Sequence, residues 1–215
     1  MPRPSALSPT LDLAAALTDV RDYSAAYVED ALSPDSHQGL ETELAGADYD
    51  TMSGYAGVAR QEGEVLRLRD SLADYPAIEQ LRTELIARIH SDGHGIEGAD
   101  RWQPNEIDVQ RYPANALGIT PHLDRKRYHV LVAIFTLTAS APFTICADRS
   151  GTVQQKWQVA PRSLILLRAP GFAALEDGRP LHTIAGPESG TRTSISLRMN
   201  TRGGDNHSRW WPSQT

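Results

Sequence analysis

Apolar positions along the chain follow two different rhythms. In the first hundred residues they recur at the spacing of helices. Leu11 to Leu32 carries Ala-rich apolar positions at near-helical intervals, and Pro76 to Ile89 sets Ile78, Leu81, Leu85 and Ile89 on one stripe. Proline suits the first turn of that second helix, Glu84 and Arg88 form a favourable i,i+4 pair along it, and Ser91-Asp92-Gly93 supplies a stop. The rest of this first part reads as loop.

After residue 104 the rhythm shortens. Runs rich in β-branched and aromatic residues extend over Ile107 to Tyr112, Tyr128 to Leu137, Phe143 to Ala147, Val153 to Val159, Ser163 to Leu167 and Arg192 to Met199. Pro113, Pro121, Pro142, Pro161, Pro170 and Pro180 fall between the runs, where a missing backbone donor does least harm. The pattern predicts an α+β protein that is mainly β, with N-terminal helices and an antiparallel sandwich or barrel. One domain over 1–215 is expected: a helical and loop part, 1–104, packed on a β core, 105–202, with a tail, 203–215, whose Trp210-Trp211 docks on the core.

Composition narrows the classes. A chain of 215 residues, 40% hydrophobic and 22% charged, is that of an ordinary globular protein long enough to bury a continuous core. No stretch approaches the roughly 20 apolar residues that cross a bilayer, and the first residues lack the apolar run of a secretion signal, so a cytoplasmic protein is expected. The lone Cys146 rules out an internal disulfide and a Cys-rich metal site, and within its apolar run it reads as packing. The net charge of −6 argues against a broad phosphate-gripping face. Arg125-Lys126-Arg127 is the one dense basic cluster, a candidate for recognising a carboxylate or phosphate.

That cluster follows directly on the first chemical signal. In Thr120-Pro121-His122-Leu123-Asp124 a histidine and a carboxylate stand two residues apart, so an extended backbone turns both to one side. His182 comes 58 residues after Asp124, in a segment that can lie beside the first in a β-barrel. Two imidazoles and one carboxylate on one face leave open positions on Fe(II), as O2 activation requires; zinc is the chemical competitor. Ten residues after His182, Arg192 opens a strand in which Arg192, Ser194, Ser196 and Arg198 share one face while Thr193, Ile195, Leu197 and Met199 share the other. Two arginines pointing into a barrel would each forfeit several kcal/mol of hydration unless an anion answered them. A dicarboxylate is such an anion, bound by guanidinium in a forked geometry that lysine does not copy.

With these elements in this order, the stretch from Ile107 to Arg202 resembles the Fe(II)/2-oxoglutarate dioxygenase superfamily. With its second arginine, Arg198, the last strand looks more like the AlkB-like branch than the plant-hormone or prolyl-hydroxylase branches. Gln110-Arg111-Tyr112-Pro113 is similar to the Asn-x-Tyr that contacts 2-oxoglutarate there, with Gln110 in place of the asparagine.

The resemblance implies a double-stranded β-helix (jelly-roll) core. It implies Fe(II) on His122, Asp124 and His182, and 2-oxoglutarate and O2 as cosubstrates. Arg192 would hold the C5 carboxylate with Ser194 and Tyr112, Gln110 would contact 2-oxoglutarate beside Tyr112, and Arg198 would support the C1 end. Asp124 favours hydroxylation over halogenation, for which related enzymes replace the acid. Lys126 stands where AlkB-type repair enzymes carry a second acid, which weakens base demethylation. The expected function is therefore oxidation of an unactivated C–H in a small, anionic metabolite, with Arg125, Lys126 and Arg127 as candidate substrate residues and release of succinate and CO2. An AlkB-like nucleic-acid demethylase is the second reading, and a cupin-like metal-binding protein without turnover the third. Oligomeric state is not legible in the sequence.

Overall fold

The computed structural model describes residues 4–56, 59–68 and 72–202; the expected docking of Trp210-Trp211 lies outside them. Helix α1 (Leu13–Tyr23) starts where the Asp12 carboxylate accepts from the Ala15 backbone N–H at 3.0 Å, and stops at Ser24 in a left-handed conformation, φ 72°. The chain then turns into strand β1 (Ala25–Val28). The Leu11–Leu32 segment is thus a helix followed by a strand.

Helix α2 (Pro34–Leu44) is capped by Ser33. Helix α3 (Pro76–Asp92) begins on the predicted proline and buries the predicted stripe, Ile78, Leu81, Leu85 and Ile89. The Glu84–Arg88 pair does not form. Glu84 instead accepts from Ser5 Oγ at 2.8 Å and Ala6 N–H at 2.7 Å, while Arg88 turns to Asp92 at 2.8 Å and to the Leu11 carbonyl at 3.1 Å. An otherwise unsatisfied backbone donor entering the fold outcompetes a surface ion pair worth a few tenths of a kcal/mol.

Two further strands, β2 (Asp50–Ala56) and β3 (Ala59–Leu68), form a hairpin. With β1 they correct the helix-and-loop reading of the first hundred residues. The remaining strands are β4 (Glu106–Pro113), β5 (Gly118–His122), β6 (Tyr128–Thr138), β7 (Ala141–Cys146), β8 (Val153–Val159), β9 (Leu164–Arg168), β10 (His182–Ile184) and β11 (Thr191–Asn200). All join one antiparallel sheet in the order β1-β9-β6-β11-β4-β3-β5-β10-β7-β8, with β2 on β3. Strand β3 bonds to β4 through Glu64–Leu68 and to β5 through Gln61–Glu62, so the sheet folds over at β3 into two walls. The result is a nearly closed, barrel-like sheet, a jelly-roll.

The apolar residues form two layers. One joins the three helices to the outer face of the larger wall, through Ile107, Val109, Phe135, Leu164, Leu166, Ile195 and Leu197. The other lies between the walls and contains Val65, Tyr112, Tyr128, Phe143, Ile145 and Ile184. Strand β11 serves both, as its period of two predicts: Ile195 and Leu197 face the helices while Arg192, Ser194 and Arg198 line the interior. Cys146 is buried packing. Among the described residues no helix is long and apolar enough to cross a membrane.

Candidate metal and cosubstrate site

Pairing of β5 with β10 sets His122 directly opposite His182, with ring centroids 4.2 Å apart. Asp124 follows β5 by two residues, and its Oδ2 lies 4.0 Å from His182 Nε2. The ligand atoms of all three fall within 4.8 Å of one another.

The imidazoles are oriented by backbone. His122 Nδ1 lies 3.1 Å from the Thr120 carbonyl and His182 Nδ1 lies 3.0 Å from the Pro180 carbonyl. A carbonyl only accepts, so Nδ1 carries the proton and Nε2 keeps its lone pair. Phe143 stacks on the His182 ring at 5.5 Å and 12° and fixes its plane. Arg179 donates through Nη1 to the Asp124 backbone carbonyl and is itself held by Asp177, 2.8 Å from its Nε. Sequence reasoning passed over Arg179, because nothing local in Gly178-Arg179-Pro180 signals a partner 55 residues earlier.

Electrostatics favour the ligand forms. Burial, reinforced by the neighbouring His182, pushes the His122 imidazole down to about 3. Burial alone would raise the Asp124 carboxyl, but His182, Arg198, His122 and Arg179 outweigh it and hold the group below the usual carboxylate range. At neutral pH the site therefore offers neutral His122 nitrogen and ionised Asp124 oxygen.

These residues line one cavity of about 520 Å³ that runs between the walls. Deep in it, Arg192 is fully enclosed. Its Nη1 donates to Ser194 Oγ at 2.9 Å and its Nη2 to Thr136 Oγ1 at 3.0 Å, and its Nε has no partner among the described residues. No carboxylate answers this charge among the described residues, and burial pushes the guanidinium down to about 10.

Tyr112 stands opposite Arg192 in the β4–β11 register, its hydroxyl accepting from Gln61 Nε2 at 2.9 Å. Gln110, opposite Ser194, also lines the cavity. Gln61 and Thr136 were not singled out by the sequence, since neither lies in a motif. Gly63 lets β3 press against this corner: a Cβ there would meet the Arg111 carbonyl at 2.6 Å and the Tyr112 ring at 2.7 Å.

The second strand arginine has a different status. Arg198 Nη1 donates to Asp108 Oδ2 at 2.9 Å, so its charge is already balanced within the fold. The basic cluster also divides. Arg127 turns inward, its guanidinium 5.7 Å from the Tyr128 ring centre and 3.8 Å from Glu106, whereas Lys126 is 79% exposed and reaches Asp177 at 3.9 Å. Arg125 lines the cavity beside them.

No protein-family model matches the chain, and no curated protein sequence does. Solved structures do. A prolyl hydroxylase from Trichoplax adhaerens, in complex with a hypoxia inducible factor oxygen degradation domain peptide fragment, is 12% identical over 88% of this chain and 90% of its own, with a TM-score of 0.63. A Pseudomonas putida prolyl-4-hydroxylase is 16% identical over 87% of this chain and 98% of its own, with a TM-score of 0.62. An oxidoreductase of the 2OG-Fe(II) oxygenase family from Burkholderia pseudomallei is 14% identical over 96% and 99%, with a TM-score of 0.60.

The fold is that of the 2OG-Fe(II) oxygenases. At such identities the likeness speaks for architecture, and chemistry has to rest on the side chains. The AlkB-like placement suggested by Arg198 gains no support from these matches.

Proposed function

We propose that this protein is an Fe(II)- and 2-oxoglutarate-dependent dioxygenase that oxidises an unactivated C–H bond of a small, anionic metabolite. The observation that carries the reading is the enclosed Arg192, a guanidinium without a counterion among the described residues, in the same cavity as the His122, Asp124 and His182 cluster. Two imidazole nitrogens and a carboxylate oxygen fit Fe(II), and a dicarboxylate fits the unanswered charge. When bound, iron with 2-oxoglutarate and O2 supplies the oxidising power and releases succinate and CO2.

The chain's own residues bind, orient and enclose. His122, Asp124 and His182 would hold the metal. Arg192, with Ser194 and the Tyr112 hydroxyl beside it, would hold the distal carboxylate of 2-oxoglutarate, and Gln110 closes that end. Arg198 is tied to Asp108, so its part is to keep Asp124 ionised through its positive field while the Asp108 pair limits the net charge. Phe143, Ile184 and Val65 line the walls and exclude water from the reacting face.

The test is spectroscopic. Anaerobic addition of Fe(II) and 2-oxoglutarate should give a weak visible metal-to-ligand charge-transfer band, absent from His122→Ala and His182→Ala. A band of full intensity in both variants would refute the metal assignment.

A further inference from the structure

The cavity has a second electropositive region, at its mouth, for which the oxygenase chemistry has no use. Arg67 on β3, Arg125, Lys126 and Arg127 between β5 and β6, Arg149 between β7 and β8, and Arg202 just beyond β11 all line it. Including Arg192 and Arg198, eight basic side chains line the cavity against two acids, Asp108 and Asp124, among the described residues of a chain whose net charge is −6. Such segregation opposes the average of the molecule and stores like-charge repulsion.

Part of the charge is answered internally. Arg67 meets Asp50 at 3.2 Å, Lys126 meets Asp177, and Arg127 is drawn in toward Glu106. Arg149 and Arg202 are exposed, and their side chains have no ion-pair partner among the described residues. Arg149 lies between β7 and β8 and Arg202 just beyond β11, more than fifty residues apart in sequence, yet both line the same cavity.

We infer that this mouth holds the substrate by a doubly negative terminal group, a phosphate monoester or its equivalent, gripped by Arg149 and Arg202 with Arg67 and Lys126 on the rim. The inference rests on the oxygenase reading and specifies its substrate end. Two guanidinium groups without an acidic partner among the described residues match the charge of about −1.5 to −2 that a phosphate monoester carries at neutral pH, whereas a single carboxylate would leave one unanswered. The occupant is a small molecule, because the basic side chains converge on a cavity instead of spreading along a face, the arrangement that a phosphate backbone needs. Arg127, turned toward Glu106 and Tyr128, supports this wall from behind.

The experiment uses the full chain saturated with Mn(II) and 2-oxoglutarate, so that Arg192 is occupied, titrated calorimetrically with phenyl phosphate. Benzenesulfonate serves as the monoanion of similar shape. Phenyl phosphate is expected to bind at least about tenfold more tightly than benzenesulfonate. The Arg149→Ala/Arg202→Ala variant should lose about tenfold, the size expected of two solvent-facing charge pairs, and Arg149→Lys/Arg202→Lys should recover most of it.

Failure of the wild type to bind 2-oxoglutarate would bring down the oxygenase reading and this inference together. Binding of 2-oxoglutarate with equal affinity for the two probes, or with no loss in the alanine variant, would overturn the inference alone. Tighter binding of a single-stranded oligonucleotide that weakens steeply with salt would overturn the small-molecule occupant.

Discussion

Replacing Arg192 by methionine should move stability and ligand binding in opposite directions. Burial holds the guanidinium at about 10, below its ordinary 12.5. At 1.36 kcal/mol per pH unit, that corresponds to about 3 kcal/mol of stability forgone while the group stays charged. The folded pKa of this base is depressed, so stability would return only as pH rises from 10 toward 12.5, and at neutral pH the whole cost is present.

Methionine fills a similar volume without charge but leaves Ser194 Oγ and Thr136 Oγ1 without their donors, which takes back about 1 kcal/mol for each contact. The net expectation is a ligand-free variant more stable by about 1 kcal/mol, or a Tm about 2–4 °C higher for a chain of this length. Binding should move the other way. A charge-assisted contact is worth about 1.5–3 kcal/mol, so 2-oxoglutarate affinity should fall about ten- to a hundredfold. Thermal shift with and without 2-oxoglutarate on Mn(II)-loaded protein reads both quantities. A less stable Arg192→Met variant whose ligand-induced shift equals that of the wild type would refute the reasoning, because the guanidinium would then be a structural group.

Two further outcomes follow from the geometry. Gly63→Ala should weaken 2-oxoglutarate binding several-fold and lower the Tm, since its Cβ would drive β3 away from Tyr112; unchanged binding in calorimetry would show that the Tyr112 hydroxyl plays no part. In chelator-treated protein, stability should fall as pH drops from about 6.5 toward 3. Over that window the unfolded chain protonates His122 while burial and His182 keep the folded imidazole neutral, and His122→Gln should flatten this slope in urea melts at stepped pH.

Much of this architecture was visible in the chain because its cues are local. The β11 alternation, the α3 stripe and the His122–Asp124 spacing each need only neighbouring residues to be read. The features that were missed depend on distant partners. The β2–β3 hairpin contains Gln61, Glu62, Gly63 and Glu64, poor strand formers held extended by β4 and β5. Strand β1 looked like more of α1, because Ala25-Ala26 continues an Ala-rich run and only the left-handed Ser24 separates them. Arg198 read as a free cation because its answering carboxylate, Asp108, lies 90 residues earlier. Arg125, Lys126 and Arg127 read as one patch, yet the chain turns between them and gives each a different environment.

The division of labour along β11 bears on how such a protein can change over generations. Ile195 and Leu197 there hold the helices while Arg192, Ser194 and Arg198 face the cavity, so gaining or losing one residue would exchange the two roles at every position beyond it. That strand can drift only by replacement. Arg149 and Arg202 sit instead outside the strands, where altered length is tolerated, so under the proposed function the end that grips substrate is free to diverge while the strand carrying Arg192 stays put.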